Sequence, residues 1–144
     1  MTFTIRPGTE SDVPAMAPII ADWGYPSDEA SIRGRLARLN RSPDDVVYVA
    51  QASDGGIAGW IHASAHHNLA SASFCEISGL AVDRGYRKLG VGRALVASVT
   101  EWAKLRGLAR IQVHSNVIRP EAHPFYERLG FTRTKTQHVY THSV

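Results

Sequence analysis

A strand, a basic loop with two glycines and a helix follow one another directly in this chain, and this junction constrains the fold most. Apolar residues 77–82 predict the strand, and Val91–Leu105 has the pattern of an amphipathic helix. The loop between them contains the run Arg87-Lys88-Leu89-Gly90-Val91-Gly92. Glycine has no Cβ, so the backbone can approach a ligand closely, and the N-terminus of the following helix attracts a diphosphate. The junction therefore predicts a site for a phosphate-bearing cofactor.

Two common nucleotide-binding loops do not fit this junction. A P-loop requires G-x-x-x-x-G-K followed by Ser or Thr, and the sequence has no such run. The dinucleotide fingerprint requires a third glycine three residues after the second, where this chain has Leu95. It also requires an acidic residue at the end of a βαβ unit, and none stands at the usual distance.

The remaining pattern, Arg87-x-x-Gly90-x-Gly92, resembles the acyl-CoA pyrophosphate loop of the GNAT superfamily of N-acetyltransferases. That loop has Gln or Arg, then Gly three residues later, then Gly or Ala two residues further. Residues 116–131 resemble the last motif block of the family, with Asn116, Ala122 and then Phe-Tyr-x-x-x-Gly-Phe. Both blocks stand in the family's order and spacing, and the likeness covers nearly the whole chain.

The resemblance implies an α/β fold in a single domain, residues 1–144. Its mixed, mostly antiparallel, twisted sheet would have about six or seven strands flanked by about four helices. The residue patterns predict strands near residues 2–6, 46–52, 57–64, 73–82 and 110–114, with a last strand within 135–142. They predict helices near residues 9–23, 28–39 and 91–105, and a short helix from about Pro120 that Gly130 ends.

The resemblance also implies that acetyl-CoA is the cosubstrate. Its pantetheine arm is expected along residues 79–82, where a β-bulge would open a slot, and its diphosphate in the glycine loop. The cofactor-binding residues that it implies are Leu80, Ala81, Val82, Arg87, Lys88, Leu89, Gly90, Val91, Gly92, Arg93, Asn116, His123 and Phe125. His123 has alternative interpretations, as a second proton carrier or as a surface histidine.

Acetyl transfer to an amine requires that the acceptor ammonium lose a proton and that the leaving thiolate gain one. The resemblance assigns the second task to Tyr126, whose phenol can donate at neutral pH, and it assigns the general base, acting through water, to Glu76. The plainer alternatives are a packed ring for Tyr126 and a salt-bridged carboxylate for Glu76. Strand alternation predicts Glu76, Ser78 and Leu80 on one face.

Three histidines, His62, His66 and His67, raise the question of a metal site. The sequence supplies no cysteine or acidic partner beside them, so we expect no metal and interpret them as polar residues near the acceptor side. Trp23 and Tyr25 fall between the first two helices, a connection that often lines the acceptor pocket in this family. They would contact the acceptor or cover the edge of the core.

Composition and charge indicate which partners and which cell compartment suit this chain. The net charge of +3 on 144 residues, with basic residues in separate clusters, argues against nucleic acid as a partner. No apolar run has the length that crosses a membrane, and the single Cys75 suits a reducing cytoplasm.

The expected acceptor is a primary amine of a small molecule. The alternatives are a protein or peptide amine, or a non-catalytic acyl-CoA-binding regulatory domain, although the presence of both Glu76 and Tyr126 argues against the last. A homodimer is expected only because the resemblance to the family implies one.

Overall fold

The computed structural model describes residues 2–114 and 122–144, which belong to two compact units, Met1–His114 and Ser115–Val144. The first unit contains β1 (Phe3–Pro7), α1 (Val13–Asp22), α2 (Glu29–Arg41), β2 (Asp45–Ala52), β3 (Ile57–His66), β4 (Phe74–Val82), α3 (Val91–Leu105) and β5 (Ile111–Val113). The second unit contains α4 (Ala122–Arg128).

The strands of the first unit form one sheet in the order β1-β2-β3-β4-β5. Neighbouring strands from β1 to β4 are antiparallel, and β5 joins β4 in parallel. The parallel step requires a crossover, which α3 provides. The mixed, mostly antiparallel sheet that the sequence predicts is therefore confirmed.

Local residue choices explain where several elements begin and end. The turn from β2 to β3 has Gly55 at φ 90°, and the carboxylate of Asp54 accepts the N–H of Gly56 at 2.8 Å. Asp28 caps α2 by accepting the N–H of Ser31 at 2.7 Å. These short-range hydrogen bonds fix the connections that the sheet and helices need.

Apolar side chains are buried on both faces of the sheet. On one face, α1 and α2 pack over β2 and β3, and the core contains Val13, Met16, Ile19, Ile32, Leu36, Val47, Val49, Trp60 and Ala81. On the other face, α3 lies over β2, β3 and β4. Its stripe of Val91, Leu95, Val96, Val99 and Ala103 is at most 5% exposed. Each large apolar side chain buried this way stabilises the fold by about 1.5–3 kcal/mol, which anchors α3 beside the end of β4.

Helix α4 in the second unit is ended by Gly130, as the sequence predicts. Gly130 has φ 94°, its N–H donates to the carbonyl of Glu127, and the N–H of Phe131 donates to the carbonyl of Tyr126. This pair of hydrogen bonds is the Schellman motif, which favours glycine at the left-handed position.

The strand predicted within residues 135–142 does not form, and the sheet has five strands in the described residues instead of six or seven. Residues 131–144 adopt neither helix nor strand. The large apolar side chains of this segment, Val139 and Tyr140, are 86% and 89% exposed. Since they are neighbours in the chain, they would point to opposite faces of a strand and could not make one apolar face.

One ion pair joins β1 to the start of α1. The guanidinium of Arg6 donates to both oxygens of Asp12 at 2.8 Å, and the N–H of Thr9 donates to the same carboxylate at 2.8 Å. Asp12 is only 5% exposed. The hydrogen bonds from Arg6 hold the pKa of Asp12 below its ordinary value.

We expect Asp12→Asn to lower the free energy of unfolding at pH 7 by about 2 kcal/mol, since the charge-assisted hydrogen bonds from Arg6 are lost. A carboxylate whose folded pKa is depressed contributes fully above its unfolded pKa and loses that contribution as the pH falls through the folded pKa. Urea unfolding of both proteins should therefore show a gap at pH 7 that shrinks toward pH 3. Glu101→Gln, at a residue whose side chain is 69% exposed, is the control and should change little. Equal stability of Asp12→Asn and wild type at pH 7 would contradict this account.

Candidate active site

The backbone of residues 87–93, which follows β4 and runs into the first turn of α3, forms an open loop that we call the cradle. Lys88 and Gly90 both adopt the left-handed conformation, with φ 65° and 84°. Gly90 precedes the first turn of α3, whose helical hydrogen bonding starts when the N–H of Ala94 donates to the Gly90 carbonyl at 3.0 Å. No side chain of the described residues caps this end of α3, and open space surrounds the position where a Cβ of Gly90 would stand. The first-turn N–H groups thus face the loop, as an anion site requires.

Positive side chains surround this cradle. Arg84 forms an ion pair with Asp22, the last residue of α1, at 2.8 Å, and Arg87 approaches the same carboxylate at 3.5 Å. The ion pair raises the pKa of Arg84 above its ordinary value. Lys88 and Arg93 are exposed beside them. Asp22 therefore restrains two of the four cations at one side of the loop and leaves the overall field positive.

A β-bulge lies in the middle of β4. Gly79 is opposite His62 and Ile77 is opposite Ala63, so that Ser78 has no residue opposite it. The sequence predicts a bulge within residues 79–82, and the structure places it one residue earlier. The extra residue bends β4 at this point.

The bulge coincides with the place where β4 separates from β5. Parallel pairing runs from Cys75 with Ile111 to Ile77 with Val113 and stops there. The part of β4 after Ile77 is consequently without a strand partner on its β5 side in the described residues. Free backbone N–H and C=O groups along such an edge can pair with an extended ligand as if it were another strand.

A cavity of about 140 Å³ lies beside the last three residues of β4. It is lined by Ile19, Asp22, Trp23, Leu80, Ala81, Val82 and Arg87. Four of the residues that the sequence assigns to cofactor binding therefore share one cavity with the end of α1. The cavity is small, apolar on one side and charged on the other, which suits a narrow chain that carries a polar end.

The bulge overturns the predicted face of Glu76. Strand alternation predicts that Glu76 shares a face with Leu80, but Glu76 is opposite Ser64, whereas Ala81 is opposite Trp60. Ser64 and Trp60 lie on the same face of β3 because they are four residues apart. Glu76 and Ala81 thus share the face covered by α1 and α2, and Leu80 points to the other face. An extra residue in a strand reverses every side chain that follows it.

Glu76 lies among three hydrogen-bonding side chains. Its Oε2 is 3.2 Å from Nε2 of His66, and its Oε1 is 2.9 Å from Nδ1 of His114. The amide of Gln112 donates to Oε1 at 3.5 Å. The sequence does not indicate His114 or Gln112 as site residues, because only the parallel pairing of β5 with β4 brings them to Glu76.

His62 belongs to a second polar group on the same face. Its Nε2 is 2.8 Å from Oδ1 of Asp45, and the hydroxyl of Ser64 donates to the same oxygen at 2.5 Å. Burial opposes ionisation of Asp45, but the hydrogen bonds from Ser64 and His62 hold its pKa below the ordinary value. Ser64 lies 3.3 Å from the same Nε2 that contacts Asp45. A nucleophilic triad uses the two different ring nitrogens, so this group is not one.

The histidines do not assemble a metal site in the described residues. His67 contacts Ser73 at 2.7 Å and Asp44 at 3.3 Å, on the exposed surface. Within residues 2–114 and 122–144, no group of three or more His, Cys, Asp or Glu side chains is arranged to hold a metal ion.

Aromatic rings cover the bulge. Trp23 and Trp60 meet edge to face, with ring centroids 5.5 Å apart, and Tyr25 lies 4.7 Å from Trp23. A Cβ on Gly79 would stand 2.6 Å from Cη2 of Trp60, so only glycine allows this ring to lie on the strand. The sequence predicts that Trp23 and Tyr25 contact the acceptor or cover the edge of the core, but it misses the requirement for Gly79.

The second unit contains the remaining predicted residues, except Asn116, which lies outside the described part of the chain. Tyr126 packs against Phe125 and Phe131, with ring centroids 5.1 and 5.7 Å apart. Burial raises the pKa of Tyr126 above its ordinary value, so the phenol keeps its proton at neutral pH. His123 is half-buried in α4.

The fold is that of an α/β protein with a positively charged backbone cradle between the end of β4 and the start of α3, an arrangement suited to anionic groups. Residues 14–131 match the model of the acetyltransferase (GNAT) family, and the chain belongs to that family. It is an acetyl-CoA-dependent N-acetyltransferase. No helix in the described part of the chain combines the length and apolar character needed to cross a membrane.

Known proteins support this membership at low identity. Aminoglycoside N(6')-acetyltransferase type 1 of Stenotrophomonas maltophilia is 26% identical over 137 residues, which cover 92% of this chain and 88% of that protein. The structure of aminoglycoside N-acetyltransferase AAC(6')-Iy in complex with CoA matches with a TM-score of 0.89 at 18% identity, over 99% of this chain and 96% of that one. A transcriptional regulator from Bacillus halodurans C-125 matches with a TM-score of 0.85 at 25% identity, over 99% and 100%. These matches confirm the predicted fold.

We expect Gly79→Ala to destabilise the protein by about 1–3 kcal/mol, because the new methyl group would overlap the ring of Trp60. Gly34→Ala in α2 is the matched control, since no atom lies within 4 Å of its Cβ position. That substitution should be neutral or stabilising by about 0.5–1 kcal/mol. Thermal unfolding of the two variants measures the difference, and equal melting temperatures would refute the close contact between ring and strand.

Proposed function

We propose that this protein transfers the acetyl group of acetyl-CoA to a primary amine of a small molecule by direct attack. One observation carries the proposal: the pairing of β4 with β5 stops at Ile77, beside Glu76, and a cavity lies further along the same strand, between Leu80 and Arg87. A thioester in this slot would lie close to a carboxylate that can assist loss of a proton. The family match extends across both units, which supports residues 1–144 as one catalytic domain.

The residues present fit acetyl-CoA, which supplies the acetyl group as a reactive thioester. On the β5 side, the backbone of Leu80, Ala81 and Val82 has no strand partner among the described residues, so it can pair with the pantetheine arm. The N–H groups of the cradle and the positive side chains suit the diphosphate. The cradle residues in this role are Arg87, Lys88, Leu89, Gly90, Val91, Gly92 and Arg93, and the family motif adds Asn116, His123 and Phe125.

Glu76 is the proposed general base. Its side chain is 17% exposed, so water can reach the carboxylate although the strand partly covers it. Acting through water, Glu76 removes a proton from the acceptor ammonium and leaves a nucleophilic amine.

Tyr126 is the proposed general acid for the thiolate that leaves. Its raised pKa keeps the phenol protonated over the neutral range, so a proton is available when charge develops on sulfur. A phenolate could not fulfil this role, so burial of the ring favours the assignment.

The charges near the slot favour an acceptor with one amine over a polycation. Asp22 is paired with Arg84, Asp28 caps α2, and Glu29 lies 3.9 Å from Arg33. These carboxylates already have partners, whereas the rings beside the bulge offer apolar surface. Aminoglycosides, the substrates named for the relative from Stenotrophomonas maltophilia, are the second candidate class because that relative covers 92% of the chain.

We expect Gly90→Ala to weaken binding of CoA roughly tenfold, or about 1.4 kcal/mol, because a Cβ at positive φ strains the backbone that aims the N–H groups at the diphosphate. Gly107→Ala is the matched control. Gly107 also has a positive φ, 70°, and open space where a Cβ would stand, but it lies at the C-terminal end of α3, away from the cradle. Calorimetric titration with CoA measures both. If the two variants lose the same affinity, the cradle is not the diphosphate site.

We expect acetyl-CoA consumption with a panel of amines to show higher kcat/KM for a small monoamine than for an aminoglycoside. With that amine, Glu76→Gln should lower kcat by about 100-fold and move the rising limb of the rate–pH profile upward, since the base is lost. Tyr126→Phe should lower kcat more than affinity for acetyl-CoA. Unchanged kinetics in both variants would contradict the roles of Glu76 and Tyr126. If the protein acetylates peptides but none of the small amines, the proposed small-molecule acceptor is wrong.

A further inference from the structure

The carboxylate of Glu76 is held by three hydrogen-bonding side chains, those of His66, His114 and Gln112, so it is not a free base. Each of its oxygens lies within hydrogen-bond distance of a different imidazole, His66 on β3 and His114 just after β5. A carboxylate only accepts hydrogen bonds when ionised, so each ring presents an N–H to it. The second nitrogen of each ring is then free to accept a proton.

The two histidines differ in their position relative to the slot. His66 is opposite Phe74, stacks on that ring with centroids 5.3 Å apart, and so lies on the side of Glu76 away from the bulge. His114 follows Val113, the last residue of β5 that pairs with β4. It therefore lies at the point where the two strands separate. The side chain of His114 is 63% exposed, against 41% for His66.

We propose that His114, instead of Glu76 itself, receives the acceptor proton, and that Glu76 acts by positioning this ring. This inference rests on the proposed function and specifies which atom binds the proton. Glu76 holds Nδ1–H of His114 at 2.9 Å, which fixes the tautomer and leaves Nε2 as the basic nitrogen. His66 holds the other oxygen of Glu76 and keeps the carboxylate in place.

The proton balance is complete without another reactant. The N–H bond of the acceptor ammonium breaks, directly or through one water, and an Nε2–H bond forms on His114. The resulting imidazolium lies against the carboxylate of Glu76, which stabilises its charge, and it then releases the proton to solvent from the same exposed nitrogen. An imidazole is also, as a chemical group, a stronger base than a carboxylate.

Other groups around His114 do not replace it in this role. Gln112 on β5 contacts the same oxygen of Glu76 but does not titrate. Cys75 precedes Glu76 on the opposite face, and burial raises the pKa of its thiol to about 11. Arg110, at the start of β5, lies with its guanidinium 4.3 Å from the ring centre of Phe74. It is a cation and cannot accept a proton.

The test compares His114→Gln, His66→Gln and Glu76→Gln in acetyl-CoA consumption with the best amine of the panel. We expect His114→Gln to lower kcat by about 100-fold and to remove the rising limb of the rate–pH profile, while KM for acetyl-CoA stays unchanged. His66→Gln should lower kcat only several-fold. His67→Gln is the matched control, because this exposed histidine contacts Ser73 and Asp44 instead of Glu76, and it should keep wild-type kinetics.

A second variant separates a chemical role from a structural one. His114→Ala should regain activity when imidazole is added to the assay, since the free base can enter the exposed place of the ring, whereas Glu76→Gln should not respond. If His114→Gln keeps kcat and the pH profile while Glu76→Gln loses them, Glu76 is itself the base, and the inference fails while the proposed function stands. If all three variants keep wild-type kinetics, the proposed role of Glu76 fails with it.

Discussion

The separation of β4 from β5 is the constraint on which the site depends. Up to Ile77 the two strands share parallel hydrogen bonds, and after it the backbone of β4 has no partner on that side in the described residues. Unpaired backbone groups inside a protein are costly unless water or a ligand satisfies them. The bulge at Ser78 makes the separation possible, because it bends β4 while its pairing with β3 continues. One extra residue thus opens a slot without breaking the sheet.

The bulge also determines which chemistry faces the slot. Without it, Glu76 and Ala81 would lie on opposite faces, and the carboxylate could not share a face with the rings of Trp23 and Trp60. Gly79 is needed for the same reason, since a side chain there would overlap Trp60. The geometry of the strand therefore places the carboxylate of Glu76 on the same face of the sheet as the apolar rings of Trp23 and Trp60.

The sequence predicts features that depend on near neighbours. The glycine loop, the turn at Gly55 and the helix end at Gly130 are recognisable because their residue types are tied to local backbone conformations. The position of the bulge, and so the face of Glu76, depends on pairing with a distant strand. The contact of Glu76 with His114 depends on a parallel crossover that no local pattern encodes.

The conformation of the cradle depends on how its two ends are held. Lys88 adopts φ 65°, a conformation that costs a residue with a Cβ about 1 kcal/mol or more. The loop can keep this strain because Val82 is held in β4 and Val91, which is 1% exposed, anchors the first turn of α3 in the core. The packing of α3 on the sheet outweighs the strain many times. Because the sheet and α3 fix the two ends of this loop, an anion that binds there has less backbone to order, and more of the attraction of the N–H groups is kept as affinity.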